Sequence, residues 1–169
     1  MHLSDYTTKE RIFIDANIFI YNALDDPIYG VSSSIFLKKI EEGELNGVIN
    51  TFVVDEVLFK ILVGKASEYI VKPTMRKIKK RMRELDFSEK VYAPVKEYRE
   101  YIFELSMTGL NILEVDVDSI KRAVELGARY GLLITDSIHL STMDKSRIGN
   151  IATNDGDFDR VDFIQAWKP

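Results

Sequence analysis

The side chains best suited to catalysis in this chain are carboxylates that recur beside apolar segments. The run Ile12-Phe13-Ile14 ends in the first of them, and the others stand in similar settings later in the sequence. In chain order they are Asp15, Glu56, Asp136, Asp155 and Asp157. Clustered carboxylates repel one another and resist desolvation unless a cation lies between them. All-oxygen ligation selects hard ions, so the pattern predicts phosphodiester hydrolysis assisted by Mg²⁺ or Mn²⁺.

Each acidic residue also has a simpler interpretation. Asp15 and Asp136 could cap the helices that follow them or compensate the helix dipole. Glu56 could form an exposed pair with Lys60 one turn away, worth only a few tenths of a kcal/mol. The segment 153–159 could be a solvated turn. For single residues both interpretations stay open, and it is the recurrence of four acids in similar settings that favours a shared site.

Three other kinds of site use similar residues but do not fit. The segment from Asp155 starts like an EF-hand loop, yet Arg160 and Ala166 occupy the positions that require Gly and Glu. A haloacid-dehalogenase-type phosphatase needs a second Asp where this chain has Asn17. A dinucleotide-binding turn needs glycines that are absent here. With no cysteine and only two histidines, thiolate and histidine-based metal sites are excluded as well.

The elements that must hold these acids alternate between strands and helices. This order predicts a parallel sheet covered by helices on both faces. Asp15, Asp136 and Asp155 are then expected at strand-to-helix junctions, where open α/β folds bind ligands, and Glu56 on a largely buried helix. We predict strands at 12–14, 47–50, 111–115, 150–153 and 163–164. We predict helices at 17–24, 31–42, 52–63, 73–85, 94–107, 117–130 and 135–143.

Length and composition are those of a single globular domain. The chain has 169 residues, of which 46% are hydrophobic and 30% charged. Its first residues lack the basic start and apolar core of a signal peptide, and no apolar run is long enough to span a membrane. We therefore expect a cytoplasmic protein without membrane contact.

Four motifs together resemble those of the PIN-domain ribonucleases. They are Phe13-Ile-Asp15-Ala-Asn17-Ile, Val54-Asp-Glu56-Val-Leu, Ile134-Thr-Asp136-Ser-Ile-His-Leu and Ala152-Thr153-Asn-Asp155-Gly-Asp157-Phe158. They occur in the order of that family and cover nearly the whole chain. The resemblance implies a three-layer α/β/α fold with a central parallel sheet of four to five strands. It also implies a Mg²⁺- or Mn²⁺-dependent endoribonuclease.

The resemblance assigns roles to individual residues. Asp15, Glu56, Asp136 and Asp155 match the catalytic and metal-binding acids, and Asp157 could share or replace the last role. Asn17 and Thr153 match polar positions that orient ligands or water. His139 matches a position of mixed polarity, which we interpret as packing.

The same resemblance suggests partners and an alternative function. The best-known compact members of the family are VapC-like toxins, which a small antitoxin protein neutralises, and a homodimer is a further expectation. This chain departs from the compact pattern by a helical insertion at about 66–108. The alternative is a catalytically silent RNA-binding or assembly module, against which the presence of all four acids argues.

A basic segment lies within that insertion. The chain has a net charge of −4, yet seven of its 23 Lys and Arg residues fall between 72 and 83 without an acid among them. An apolar face of Met75, Ile78, Met82 and Leu85 is expected to hold this helix to the protein. We predict that its basic residues bind RNA beside the metal site, although a solvated helix or a dock for an acidic protein would account for them too. They are Lys72, Arg76, Lys77, Lys79, Lys80, Arg81 and Arg83.

Overall fold

Five parallel strands form the centre of the fold in the computed structural model, which describes residues 1–169. They are β1 (Arg11–Ile14), β2 (Asn46–Asn50), β3 (Leu110–Leu113), β4 (Asn150–Ala152) and β5 (Gln165–Trp167). Their order across the sheet is β3-β2-β1-β4-β5, and every neighbouring pair is parallel. The continuous apolar run before Asp15 suits the central strand, whose faces are both covered: Ile12, Phe13 and Ile14 are fully buried. The predicted α/β fold is confirmed.

Seven helices cover the sheet. They are α1 (Ala16–Ala23), α2 (Gly30–Glu41), α3 (Thr51–Glu68), α4 (Met75–Arg81), α5 (Leu85–Leu105), α6 (Val117–Tyr130) and α7 (Ile134–Ser146). Helix α1 packs against α2 and α3, α3 packs against α5, and α6 packs against α7. One core of 27 buried residues lies between the sheet and these helices. None of the seven helices combines the length and the apolar composition that a membrane-spanning segment requires.

The chain reverses its direction across the sheet between β1 and β4. It runs from β1 through β2 to β3 on one side and then returns to β4 and β5 on the other. Ile14 pairs with Ala152, and the Asp15 amide donates a 3.0 Å hydrogen bond to the Ala152 carbonyl. The residues that follow β1 and β4 therefore emerge side by side at the topological switch point, where open α/β sheets bind ligands.

Helix α3 differs from its prediction in length and burial. It runs past Gly64 to Glu68, and Asn50 rather than Thr51 caps it by accepting a hydrogen bond from the Val53 amide. Only four of its residues are fully buried: Val53, Val57, Ile61 and Ala66. Its many apolar side chains do not all face the core, because a single helix packed on a sheet buries one stripe.

Residues 73–107 also fold differently from the prediction. The expected helix 73–85 is the shorter α4, and Pro94 lies inside α5 instead of opening a helix. Met75 and Leu85 are 40% and 70% exposed. Of the four residues predicted to hold α4 to the protein, only Ile78 is buried and Met82 half-buried. Proline removes one helical hydrogen bond, and the buried side chains along α5 keep that helix continuous.

The remaining differences are small. The last strand lies at Gln165–Trp167, two residues after the predicted one, and helix 117–130 is confirmed at its predicted bounds. That residues 66–108 form an insertion into a single domain stays a prediction.

Candidate active site

Asp15 occupies the centre of the switch point. It directly follows β1, is only 7% exposed, and precedes α1 at the N-cap position without capping that helix through its side chain. Its Oδ2 instead accepts hydrogen bonds from Asn17 Nδ2 at 2.6 Å and from Thr153 Oγ1 at 2.5 Å. The helix-cap interpretation of Asp15 therefore does not account for its position.

Asn17 and Thr153 connect the segments that follow β1 and β4. Asn17 Nδ2 also donates to Thr153 Oγ1 at 3.1 Å, and the Asp155 amide donates to the same hydroxyl at 3.0 Å. Asn154 completes the network: its amide donates to Asn17 Oδ1 at 3.4 Å and its side chain to the Tyr21 hydroxyl at 3.2 Å. Asn154 and Tyr21 were not recognised from the sequence, because only the folded chain brings them together.

Like charges face Asp15 from two helices. Burial raises the pKa of Asp15 to about 7, the hydrogen bond from Thr153 opposes that rise, and the charges of Glu56 and Asp136 add to it. None of the ion pairs in the structure includes Asp15, Glu56 or Asp136. The structure thus places acids from two helices beside one buried carboxylate, and no ion pair neutralises any of the three.

Asp136 lies in the first turn of α7 and is the second acid with a raised pKa. Burial, followed by the charges of Asp155, Glu56 and Asp157, raises its pKa to about 6. Its predicted strand-to-helix junction is wrong: residues 131–133 form a short loop between α6 and α7, with Gly131 in the left-handed conformation that ends α6. Asp136 reaches the site because α7 starts there, not because a strand ends there.

The two candidates for the last acid have different contacts. Asp155 Oδ1 accepts a 2.8 Å hydrogen bond from the Asp157 amide and so caps the 3₁₀ turn Gly156–Arg160. The Asp157 carboxylate is paired with the Arg160 guanidinium at the surface. Both charges act on Asp136, and Asp155 has the larger effect.

The carboxylates suit a hard divalent cation by their chemistry. Their mutual repulsion and burial disfavour the ionised form, and a cation among them would relieve both. In the side-chain positions of this structure, however, no three acidic or histidine side chains are close enough together to hold a metal ion. The donor set therefore fits Mg²⁺ or Mn²⁺, and the side chains would have to converge on the ion.

A depression of about 430 Å³ adjoins the acids between α3 and α7. Asp55, Glu56 and Asp136 are its acidic residues, Lys60 is its one basic residue, and Phe52, Phe59 and Leu133 are its apolar residues. Phe59 is 46% exposed, although the sequence predicted a buried position for it. The aromatic lining was missed because the apolar pattern of α3 gives no sign of which stripe faces the core.

His139 and Asp55 differ from the acids of the site in their burial and contacts. His139 is fully buried, its ring centroid is 5.4 Å from that of Phe13, and neither ring nitrogen has a hydrogen-bond partner. Asp55 is exposed, whereas Glu56 is half-buried and acts on both Asp15 and Asp136. His139 packs in the core, in line with its interpretation from the sequence.

The basic residues predicted to bind RNA form no part of this acidic cluster. Lys72 precedes α4, and the other six lie on α4 or directly after it, all exposed. Helix α4 packs on the C-terminal part of α3, around Ala66, whereas Glu56 lies in the N-terminal half of α3. That these residues bind RNA beside the metal site stays a prediction.

Comparison with known proteins gives one family. The model of the PIN domain matches residues 12–164. The chain is 30% identical over 161 residues to the ribonuclease VapC6 of Methanocaldococcus jannaschii, an alignment that covers 95% of this chain and 99% of that protein.

Solved structures give the same fold. The VapC20 toxin of Mycobacterium tuberculosis, described as cleaving the sarcin-ricin loop, superposes with a TM-score of 0.61 at 14% identity and covers 90% of this chain and 96% of that one. A chain from the structure of VapBC2 of Rickettsia felis, bound to a DNA fragment from its promoter, superposes with a TM-score of 0.55 at 15% identity. The match covers 94% of this chain and 98% of that one.

Proposed function

Because the chain belongs to the PIN-domain family, we propose that it is an endoribonuclease that hydrolyses phosphodiester bonds of RNA. The observation that carries this proposal is the buried Asp15 carboxylate, which faces Glu56 and Asp136 without a basic partner. A cluster of this kind is costly for stability, so a function in catalysis accounts for its presence better than a structural one. The proposed catalytic residues are Asp15, Glu56, Asp136 and Asp155.

The cofactor of this site is Mg²⁺ or Mn²⁺ in our proposal. Asp15, Glu56, Asp136 and Asp155 would hold the ion, with Asp157 as an additional or replacing ligand. When bound, such an ion activates water and neutralises charge on the leaving oxygen. The hydrogen bonds from Asn17 and Thr153 hold Asp15 in one orientation and leave its Oδ1 for other interactions.

Asp155 has a positioning function through the backbone as well. The Asp155 amide donates to the Thr153 hydroxyl, and this hydroxyl donates to the Asp15 carboxylate. A displacement of the segment after β4 would therefore also displace the hydroxyl that orients Asp15. These hydrogen bonds therefore hold Asp15 and the segment after β4 together, in the way that catalytic groups are supported by their neighbours.

The experiment is incubation of the purified protein with linear and circular RNAs in Mg²⁺, Mn²⁺ or EDTA. A circular RNA has no ends, so its cleavage identifies an endonuclease. Cleavage that requires the metal and is lost in Asp15→Asn would support the proposal. RNA binding without cleavage in any metal would favour the alternative, a catalytically silent RNA-binding module.

We further propose that the protein acts as the toxin of a toxin–antitoxin pair, with a small protein as its antitoxin. The support is the full-length similarity to a ribonuclease named VapC6 and the fold shared with a VapBC complex. Expression of the wild-type chain is expected to arrest growth, and expression of Asp15→Asn is not. Growth without arrest at equal protein levels would contradict a toxin function but not the nuclease. The homodimer expected from the resemblance stays a prediction.

A further inference from the structure

Six of the seven basic residues of the segment 72–83 lie on α4 or directly after it, and they fall into two groups by their contacts. Lys77 Nζ donates to the backbone carbonyls of Val71 at 2.8 Å and Lys72 at 2.9 Å. Arg81 pairs with Glu84, and its guanidinium lies 4.7 Å from the centre of the Phe87 ring. These two cations are occupied within the protein.

Four other cations have no such partner. They form neither ion pairs nor side-chain hydrogen bonds, and together they line one depression of about 560 Å³ in which Met75 is the only apolar residue. They are Arg76, Lys79, Lys80 and Arg83. Residues three and four apart lie on one face of a helix, about 5–6 Å from each other at Cβ, which places Arg76, Lys79 and Lys80 together on α4. Arg83 lies in the turn after α4 and lines the same depression, so the four cations form one row.

The row stands on an ordered support. Thr74 caps α4 by accepting a hydrogen bond from the Lys77 amide, and Ile78 is buried against Ala66, Phe87 and Val91. A row of cations fixed in this way loses less conformational entropy on binding a ligand than the same residues on a flexible loop.

The position of α4 sets the distance from the row to the acids. Ile78 packs on Ala66, ten residues after Glu56 on α3. At 1.5 Å per residue this corresponds to about 15 Å along the helix axis. In a stacked strand with about 3.4 Å per phosphate, the same distance is roughly four nucleotides.

We propose that Arg76, Lys79, Lys80 and Arg83 bind phosphates of the RNA substrate several nucleotides away from the cleaved bond, without reading its sequence. This inference rests on the proposed ribonuclease function. The composition of the surface favours RNA over a protein: interface cores between proteins are rich in aromatic residues and poor in lysine, whereas phosphate contacts come from Lys and Arg. The rest of the chain carries a net negative charge, so this row is the part of the surface that attracts a polyanion.

Two double variants with the same charge change on the same helix test the proposal. Arg76→Gln with Lys80→Gln removes two unpartnered cations, and Lys77→Gln with Arg81→Gln removes the two occupied ones. Glutamine keeps the helix propensity of the replaced residues. Each is assayed with an RNA of about 20 nucleotides and with a dinucleotide, which is too short to reach α4 from the acids.

For the first double variant we expect kcat/KM on the long RNA to fall about tenfold or more, and the slope of log affinity against log salt to shrink by about 1.4. Cleavage of the dinucleotide stays unchanged, and the second double variant stays near wild type on both substrates. Equal effects of the two double variants, or an unchanged salt slope in the first, would overturn the proposal.

Binding measured without cleavage separates this inference from the proposed function. Fluorescence anisotropy of labelled RNA is recorded in the Asp15→Asn background, where the affinity is expected to fall in the first double variant only. This readout stands even if no RNA is cleaved. A loss of affinity for a poly-glutamate peptide with unchanged affinity for RNA would instead identify α4 as a dock for an acidic protein and would refute phosphate binding.

Discussion

Asp15 is the residue in which the stability and the proposed chemistry of this protein oppose each other most directly. Its carboxylate is buried beside Ala16 and Thr153, where the neutral form is favoured, and two further acids act on it. Thr153 and Asn17 each donate one hydrogen bond to it, which partly compensates the lost hydration. A charged group kept in such a place is typical of a functional site.

Replacement of Asp15 by Asn is expected to abolish metal-dependent RNA cleavage while the fold is retained. The amide is nearly isosteric and can still accept from Thr153, but it carries no charge for a cation. Gel assays of RNA cleavage and circular dichroism measure the two effects. Asp159→Asn is the matched control, because its exposed pair with Lys168 at 3.3 Å contributes little to stability. Full activity in Asp15→Asn would contradict the assignment.

His139 offers a separate test at the level of one side chain. Burial lowers its pKa from 6.5 to about 4, so the unfolded chain binds a proton between these values that the folded chain does not. The free energy of unfolding contributed by this residue therefore falls as the pH drops from about 6.5 to 4.

We expect His139→Leu to stabilise the protein, since it removes two buried nitrogens without partners. The gain is about 1 kcal/mol near neutral pH and roughly 2 kcal/mol more near pH 5, measured by urea unfolding. Ser33→Ala, which removes another buried oxygen without a partner, is the control and should give a gain that does not depend on pH. A gain of His139→Leu that shrinks at low pH would show that the histidine is charged in the folded state.

Among the elements, α3 determines which acid reaches the site. Adjacent residues of a helix point about 100° apart, so Asp55 and Glu56 cannot both face Asp15. Asp55 is exposed, and Glu56 is the one whose charge acts on Asp15 and Asp136. Glu56→Ala is expected to lower kcat on RNA at least a hundredfold and Asp55→Ala less than threefold. The reverse order in steady-state assays would mean that α3 is rotated relative to this structure.

The same helix places an aromatic ring beside the acids. Phe59 borders the depression that Glu56 and Asp136 share, and half of its surface is free to stack on a base. Base stacking contributes about 1–3 kcal/mol, so Phe59→Ala is expected to reduce kcat/KM on RNA roughly 5- to 150-fold. Phe103→Ala is the control, since Phe103 is equally exposed at 47% but lies on α5 outside the depression. Equal losses in both variants would indicate destabilisation instead of lost stacking.

For the whole molecule, the sequence predicted the sheet and the acids better than the helices. A continuous apolar, β-branched run that ends in Asp15 is typical of a central strand in an α/β chain, and its parallel neighbours follow from the alternation of elements. The predictions that α3 is largely buried and that a helix begins at Pro94 were wrong, because both features depend on which helices pack together. Asp136 was expected after a strand because Leu132-Leu133-Ile134 is apolar, yet no strand lies there to pair with it.

The distant parts of the site could not be predicted for the same reason. The hydrogen bond between Asn154 and Tyr21 joins residues 133 positions apart, and the position of α4 depends on contacts with α3. Motifs locate residues along the chain, but only packing determines the separation between the basic row and the acids.

Divalent metal ions should couple the site to the stability of the whole fold. The pKa of Asp15, raised to about 7, and that of Asp136, raised to about 6, mean that the folded chain without metal binds more protons than the unfolded chain between about pH 4 and 7. The free energy of unfolding contributed by these two acids therefore falls as the pH rises through this range. A cation that binds only the ionised, folded protein restores it.

We accordingly expect Mg²⁺ to raise the midpoint of urea unfolding clearly near pH 8 and hardly at all near pH 5, where protons compete for Asp15 and Asp136. Comparing samples with and without Mg²⁺ at each pH cancels the opposing contribution of His139, which has no contact with solvent. In Asp15→Asn the stabilisation near pH 8 should shrink strongly, and the metal-free variant should be more stable there than the metal-free wild type by roughly 2–4 kcal/mol. Asp159→Asn should retain the wild-type response. A Mg²⁺ effect of the same size at both pH values would mean that the ion binds elsewhere on the protein, because an ion at this site competes with the protons of Asp15 and Asp136.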